Sequence, residues 1–193
     1  KTDSEPCTIQ APALGVENVE PVVAVFDGMP IQNHPLLRDR IIVDDPDDYA
    51  TNYESKYRIH GTSMTSLAIY GDLNRNDSPI TSPVYVRPIL RPKQVGPDSV
   101  QECVPDDKLF VDTLHRAVKR MMEGENGEDA TAPNTKVINL SVGDPVRQLS
   151  TMMSPIARLI DYLAYKYKIL FIISAGNHDE ILNYIDQSFA DLK

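Results

Sequence analysis

The sequence contains no tryptophan and only two cysteines, and its apolar runs are short. No run approaches the roughly 20 apolar residues that a membrane-spanning helix needs, so we expect no membrane partner. Cys7 and Cys103 lie far apart and form no metal-ligand pattern; a disulfide and two free thiols are both open, and free thiols suit a reducing compartment. The four histidines are scattered without zinc spacing, so we expect neither a metal nor a cofactor.

Basic residues are also fewer than acidic residues, which gives a net charge of −9 at pH 7. A nucleic-acid-binding surface needs a basic stripe, so we expect no nucleic-acid partner. The acidic run Asp44–Asp48 lacks the ligand spacing of an EF-hand loop, and we interpret it as a solvated acidic turn rather than a calcium site. The N-terminus has no signal-peptide pattern, which favours a cytoplasmic protein, with secretion as the alternative.

Short runs rich in valine and isoleucine alternate with segments of helical spacing. Strands are predicted at Val22–Phe26, Val84–Leu90, Val137–Val142 and Ile169–Ser174. Helices are predicted after His60 (with Met64, Leu67 and Ala68 facing inward), after a cap at Asp106 or Asp107, after Ser154-Pro155, and near Asp179. Surface loops are predicted at Gly71–Pro83, Arg91–Pro105 and Glu123–Thr135. Strands that are apolar at nearly every position favour an α/β fold, with a mostly parallel sheet covered by helices on both faces.

Polar residues lie where these predicted strands end. Asp27 ends the first strand, Ser141-Val142-Gly143 ends the third, and Asn177 follows the last, while His60 opens the helix after an intervening loop. Because ligand and catalytic groups of such sheets gather at the carboxyl ends of the strands, we predict that these segments converge at one edge.

These residue types suit acyl transfer. A histidine can take a proton from an alcohol and return it to a leaving amine at neutral pH. A carboxylate beside its other ring nitrogen fixes the tautomer and stabilises the imidazolium. An asparagine side chain can donate a hydrogen bond to the oxyanion of a tetrahedral intermediate.

The order and local context of these segments resemble the subtilisin-like serine proteases, the subtilase family. The resemblance covers roughly residues 20–180 and rests on four segments: Val23–Gly28 with His34-Pro35 seven residues beyond the aspartate, His60-Gly61-Thr62, Ile138–Gly143, and Ser174-Ala175-Gly176-Asn177. It implies that Asp27 and His60 are the acid and base of a catalytic triad and that Asn177 is the oxyanion donor. It also implies that residues 141–143 line the specificity pocket and pair with the backbone of a polypeptide substrate.

The chain departs from the family pattern at two places. The family normally has Asp-Ser-Gly or Asp-Thr-Gly, whereas this chain has Asp27-Gly28-Met29. The nucleophile motif Gly-Thr-Ser-Met-Ala-x-Pro has no full match, since Ser63 lies three residues from His60 on the same predicted helix and lacks the proline. We therefore expect residues 1–193 to be the N-terminal portion of one peptidase domain, C-terminally incomplete, with residues 1–19 as an extension and the serine outside this chain.

Two other functions stay open at this stage. A catalytically inactive pseudo-protease, or peptide-binding module, would keep the cleft without chemistry, and the altered Asp27-Gly28-Met29 segment motivates it. An α/β hydrolase with its own nucleophile would need a Gly-x-Ser-x-Gly elbow, which the sequence lacks. If the sheet is incomplete, its exposed edge predicts self-association of the chain.

Overall fold

The computed structural model describes residues 19–75, 77–97, 99–143 and 153–174. Five strands within this part of the chain form one parallel sheet in the order β2–β3–β1–β6–β7, and β4 and β5 form a separate antiparallel hairpin. The strands are β1 (Val23–Asp27), β2 (Ile41–Val43), β3 (Val84–Pro88), β4 (Arg91–Gly96), β5 (Ser99–Cys103), β6 (Val137–Leu140) and β7 (Leu170–Ile173).

Three α-helices cover the two faces of the parallel sheet: α1 (Ile59–Tyr70), α2 (Phe110–Glu123) and α3 (Pro155–Tyr167). Since side chains alternate along a strand, neighbouring residues of β1 enter different cores. Phe26 packs with Leu114 of α2 and Leu163 of α3, whereas Val25 packs with Ile69 of α1. The predicted α/β fold is confirmed.

Helix ends follow local signals in two cases and not in a third. Ser154 caps α3, because its Oγ accepts the Ala157 N–H at 3.2 Å and Pro155 follows it. Helix α2 ends at Gly124, whose φ of 87° lies in the region that favours glycine. The predicted cap at Asp106 or Asp107 is wrong, since Leu109 precedes α2 and no side chain caps it.

Other predictions need correction in the same part of the chain. Arg91–Gly96 and Ser99–Cys103 pair as the β4–β5 hairpin where a loop is predicted; these strands are mostly solvent-facing and lack an apolar face. The sequence pattern does not predict the short strand β2, and Leu67 is 51% exposed although the pattern predicts that it faces inward. The helix predicted near Asp179 lies outside the described residues. No helix among the described residues is long and apolar enough to cross a membrane.

The interpretation of residues 44–48 as a solvated turn is wrong for Asp44 and Asp47, whereas Pro46 and Asp48 are exposed. Asp44 pairs with Arg87 of β3 and Arg120 of α2, at 3.5 and 3.0 Å, and accepts the Tyr85 hydroxyl at 2.6 Å. Asp47 pairs with Arg87, Lys108 and Arg116 at 2.9, 2.9 and 2.7 Å. We call these two aspartates and their cationic partners the ion-pair cluster. Burial between the sheet and α2 needs such pairing, because an unpaired buried charge is costly.

Candidate active site

Asp27 is the last residue of the central strand β1 and is fully buried. Its Oδ1 accepts the Gly28 N–H at 2.6 Å, and its main-chain carbonyl accepts the Ile89 N–H at 2.8 Å. Its Oδ2 is buried and has no hydrogen-bond partner among the described residues. The carboxylate is therefore held firmly through one oxygen and left uncompensated at the other.

His60 is the second residue of α1 and meets this carboxylate. Its Nδ1 lies 2.8 Å from Asp27 Oδ1, so the structure brings together two residues that lie far apart in the sequence. The His60 side chain is 50% exposed while that of Asp27 is inaccessible. The pair thus has one buried end that orients the ring and one open end, where Nε2 can exchange a proton.

The two residues after His60 explain why α1 lies so close to β1. A Cβ on Gly61 would overlap the main-chain carbonyl of Gly28, so only glycine permits this approach of helix and strand end. Thr62 Oγ1 accepts the Ile31 N–H at 2.9 Å, which ties the helix to the turn after β1. His-Gly-Thr is therefore a docking sequence that sets the position of His60 over Asp27.

The electrostatics of Asp27 follow from its burial. Desolvation raises the pKa of the Asp27 carboxyl above its ordinary value, and the hydrogen bonds from His60 and from the Gly28 N–H act in the opposite direction. Because a positive imidazolium lowers the energy of the carboxylate, the two groups favour each other's charged forms.

Glu102 and Tyr53 lie beside this pair, and no pattern in the sequence singles them out. Tyr53 donates its hydroxyl proton to the Glu102 carboxylate. A cavity of about 320 Å³ opens there, lined by His60 and Ser63 of α1, by Lys56 and Tyr57, and by Val100 and Glu102 of β5. No motif surrounds Glu102, so only the folded hairpin reveals its position next to His60.

Ser63 does not act as a partner of the imidazole in this structure. Its hydroxyl donates to the Ile59 carbonyl of its own helix, at 2.9 Å. Thr62 and Thr65 also donate to carbonyls of the preceding turn. All three hydroxyls therefore donate hydrogen bonds to main-chain carbonyls at the start of α1, an ordinary role for serine and threonine in a helix.

The predicted substrate segment follows β6, the neighbour of β1, so residues 141–143 lie at the same edge as Asp27. Ser141 Oγ accepts from Asn139 Nδ2 at 2.9 Å, and Val142 packs against the core under α2 and α3. Gly143 is exposed. Asn177 lies outside the described residues. Within the described part of the chain, no cluster of three or more histidine, cysteine or acidic side chains could hold a metal ion.

Comparison with known proteins gives one match. A family model described as "Subtilase family" matches residues 19–191 of this chain, which is most of its length. The search of curated proteins found no match, and neither did the search of solved structures.

Proposed function

Because the chain belongs to the subtilase family, a family of serine peptidases, we propose that it contributes the acid and the base of an endopeptidase active site. Asp27 is the triad acid, His60 the base, and Asn177 the oxyanion donor, while the nucleophilic serine lies outside these 193 residues. The observation that supports this best is the 2.8 Å contact between a fully buried carboxylate and a half-exposed imidazole.

The proposed reaction proceeds by acyl transfer. His60 Nε2 removes the proton from the serine hydroxyl as its oxygen attacks the scissile carbonyl. The Asn177 side chain donates a hydrogen bond to the oxyanion that forms. The imidazolium, stabilised by Asp27, gives its proton to the leaving amine, and water then hydrolyses the acyl-enzyme through the same base.

Substrate binding is proposed at residues 141–143. The backbone after a strand end can pair with an extended peptide, which is the β-augmentation mode of recognition. Gly143 is exposed and lies at the edge that carries Asp27, which supports a peptide running past the catalytic pair.

The test is intact-mass analysis of the full-length gene product after treatment with a fluorophosphonate, followed by mapping of the adduct. We expect one adduct, on a serine outside residues 1–193, and its loss in His60→Ala. An adduct on Ser63 would contradict the proposed position of the nucleophile. Folded protein without any adduct would instead favour the peptide-binding pseudo-enzyme, which binds peptides and releases no product.

A further inference from the structure

Glu102 lies in a part of the fold that is separate from the parallel sheet. The β4–β5 hairpin that carries it is anchored near its base, where Lys93 and Asp106 form an ion pair at 2.6 Å and Arg91 lies over the Tyr49 ring at 5.1 Å. From this support, β5 brings the Glu102 side chain to the turn after β1. The hairpin therefore adds a carboxylate to the Asp27–His60 pair from outside the sheet.

The Glu102 carboxylate and the Tyr53 hydroxyl together occupy the space beside Gly28. A Cβ on Gly28 would overlap both groups. Because position 28 has no side chain, the Glu102 side chain of the hairpin can occupy the space beside it. The Gly28 N–H also donates a hydrogen bond to Asp27 Oδ1. Contacts that fix the position of Gly28 therefore also fix this hydrogen bond to the carboxylate.

Asp27 and His60 are the charged groups that act on the pKa of the Glu102 carboxyl. Burial raises the pKa of the Glu102 carboxyl, the Tyr53 hydrogen bond lowers it, the Asp27 charge raises it and His60 lowers it. Burial and the neighbouring Glu102 raise the pKa of Tyr53, which keeps its hydroxyl a donor. Arg58 lies over the Tyr53 ring at 5.8 Å, and Lys56, which pairs with Glu54, lies at the rim of the cavity.

We propose that Glu102 is a positioning residue for the Asp27–His60 pair: held by Tyr53, it packs against Gly28 and places a second negative charge beside the imidazole. The proposal rests on the proposed function for its effect on turnover, and on geometry alone for its effect on the pair. Packing keeps the Gly28 N–H directed at Asp27, and the negative charge stabilises the imidazolium that forms during the reaction.

Two substitutions separate these contributions in the full-length protein. Glu102→Gln keeps the shape and removes the charge, whereas Glu102→Ala removes both. Glu54→Gln is the matched control, because it removes one exposed carboxylate nearby whose ion-pair partner among the described residues is Lys56. We expect kcat to fall about 10-fold in Glu102→Gln and further in Glu102→Ala, with KM little changed, as for groups that orient a catalytic residue.

The pH profile and a spectroscopic signal separate positioning from a merely structural role. Above the pH at which Glu102 titrates, its charge favours a protonated imidazole, so Glu102→Gln should move the acid limb of kcat/KM to lower pH. The proton between His60 Nδ1 and Asp27 Oδ1 should give a downfield proton NMR signal in the wild type. We expect this signal to shift in Glu102→Gln, to broaden or vanish in Glu102→Ala, and to stay unchanged in Glu54→Gln.

A double substitution tests the packing independently of activity. Gly28→Ser should lower Tm in the wild-type background, because its side chain displaces the Glu102 carboxylate and the Tyr53 hydroxyl. It should lower Tm less when combined with Glu102→Ala, because only the Tyr53 hydroxyl then has to move. An unchanged NMR signal and an additive cycle would overturn the positioning role, whether or not the protein turns over peptides. A lost NMR signal in a protein that binds no fluorophosphonate would support the positioning role and contradict the proposed enzyme.

Discussion

Asp27 ends β1 and Asp47 follows β2, another strand of the same sheet, yet the surroundings of the two carboxylates differ. Asp47 contacts three cationic side chains in the ion-pair cluster, and these hold the pKa of its carboxyl below the ordinary value despite burial. Asp27 is fully buried, has His60 as its only ion-pair partner among the described residues, and has a raised pKa because burial dominates.

The difference separates a carboxylate that cations compensate on several sides from one whose ion-pair partner is a single imidazole. In the ion-pair cluster only Arg87 Nε lacks a hydrogen-bond partner among the buried side-chain atoms, and opposite charges are in contact on several sides. Among the described residues, Asp27 Oδ2 has no donor, and the one cationic partner of Asp27 is a group that gains and loses a proton. A carboxylate that is poorly compensated at rest stabilises a neighbouring positive charge strongly when that charge appears.

The largest effect is expected from removing the pair itself. Asp27→Asn should lower kcat by about 10⁴-fold, because an amide no longer fixes the imidazole tautomer and lacks the charge that stabilises its protonated form. His60→Ala should lower kcat at least as much. Peptide hydrolysis by the full-length protein measures both, and circular dichroism confirms that the fold is kept. Turnover within a factor of ten of the wild type in either variant would contradict the catalytic roles.

The next effect is expected from the contact that brings α1 to β1. Gly61→Ala places a methyl group against the Gly28 carbonyl, so we expect a loss of about 3 kcal/mol in the free energy of unfolding. A displaced helix also separates His60 from Asp27, so kcat should fall about 100-fold. Both quantities are measured by urea denaturation and by peptide hydrolysis.

Gly96→Ala is the control for that substitution. Its Cβ would lie 3.6 Å from Ser99 Cβ, an ordinary contact, and we expect a change within about 0.5 kcal/mol. Equal effects of the two alanine substitutions would show that glycine at position 61 is not needed for close approach.

A third prediction contrasts the two aspartates in stability. Asp47→Asn should lower the free energy of unfolding by about 2 kcal/mol, because it leaves Arg87 without one of its partners. Asp27→Asn should raise it by about 1 kcal/mol, because it removes a desolvated charge. Urea denaturation at pH 7 measures both, and changes of the same sign would contradict the comparison.

The pH dependence of the two contributions is opposite in sign. Asp47 has a lowered pKa, so its stabilising contribution is present above the ordinary value of 3.8 and is lost as the pH falls through its folded-state pKa. Asp27 has a raised pKa, so its contribution is present below 3.8 and is lost as the pH rises through its folded-state value. Denaturation of each Asn variant across pH 3–7 isolates each contribution.

The smallest effect concerns a third region, the edge of the sheet at β7. Leu170, Ile172 and Ile173 are exposed there, and β7 is the last strand of the sheet among the described residues. We expect the 193-residue chain to self-associate weakly through this edge, and Ile172→Lys to reduce the association. Sedimentation velocity at high protein concentration measures it, and a monomeric wild-type chain would refute the prediction.

Local patterns in the sequence predict the elements that carry Asp27 and His60. The apolar runs predict β1, β6 and β7 within two residues, and Ser154-Pro155 predicts the start of α3. The position of Asp27 at a strand end and of His60 at a helix start, in this order along the chain, predicts that they approach each other. The predictions of these strands and of the helix start agree with the structure because apolar runs and helix caps are local patterns in the sequence.

The sequence does not predict the distant contacts that neither a motif nor a strand end marks. The β4–β5 hairpin has no apolar face, so no periodicity distinguishes it from a loop. Asp44 and Asp47 read as a solvated turn because their arginine partners lie in β3 and α2. Glu102 acquires its significance only from Tyr53 and Gly28, neither of which is near it in the chain.

The shared volume of Gly28 and Glu102 also constrains how this protein can change over evolutionary time. A side chain at position 28 would occupy the space that the Glu102 carboxylate and the Tyr53 hydroxyl fill, so these two groups would have to move. Mutations at the two positions should therefore be accepted as a pair, or in the order that shortens residue 102 first. Relatives with serine or threonine at position 28 are expected to carry a small residue at position 102, or to lack the hairpin altogether.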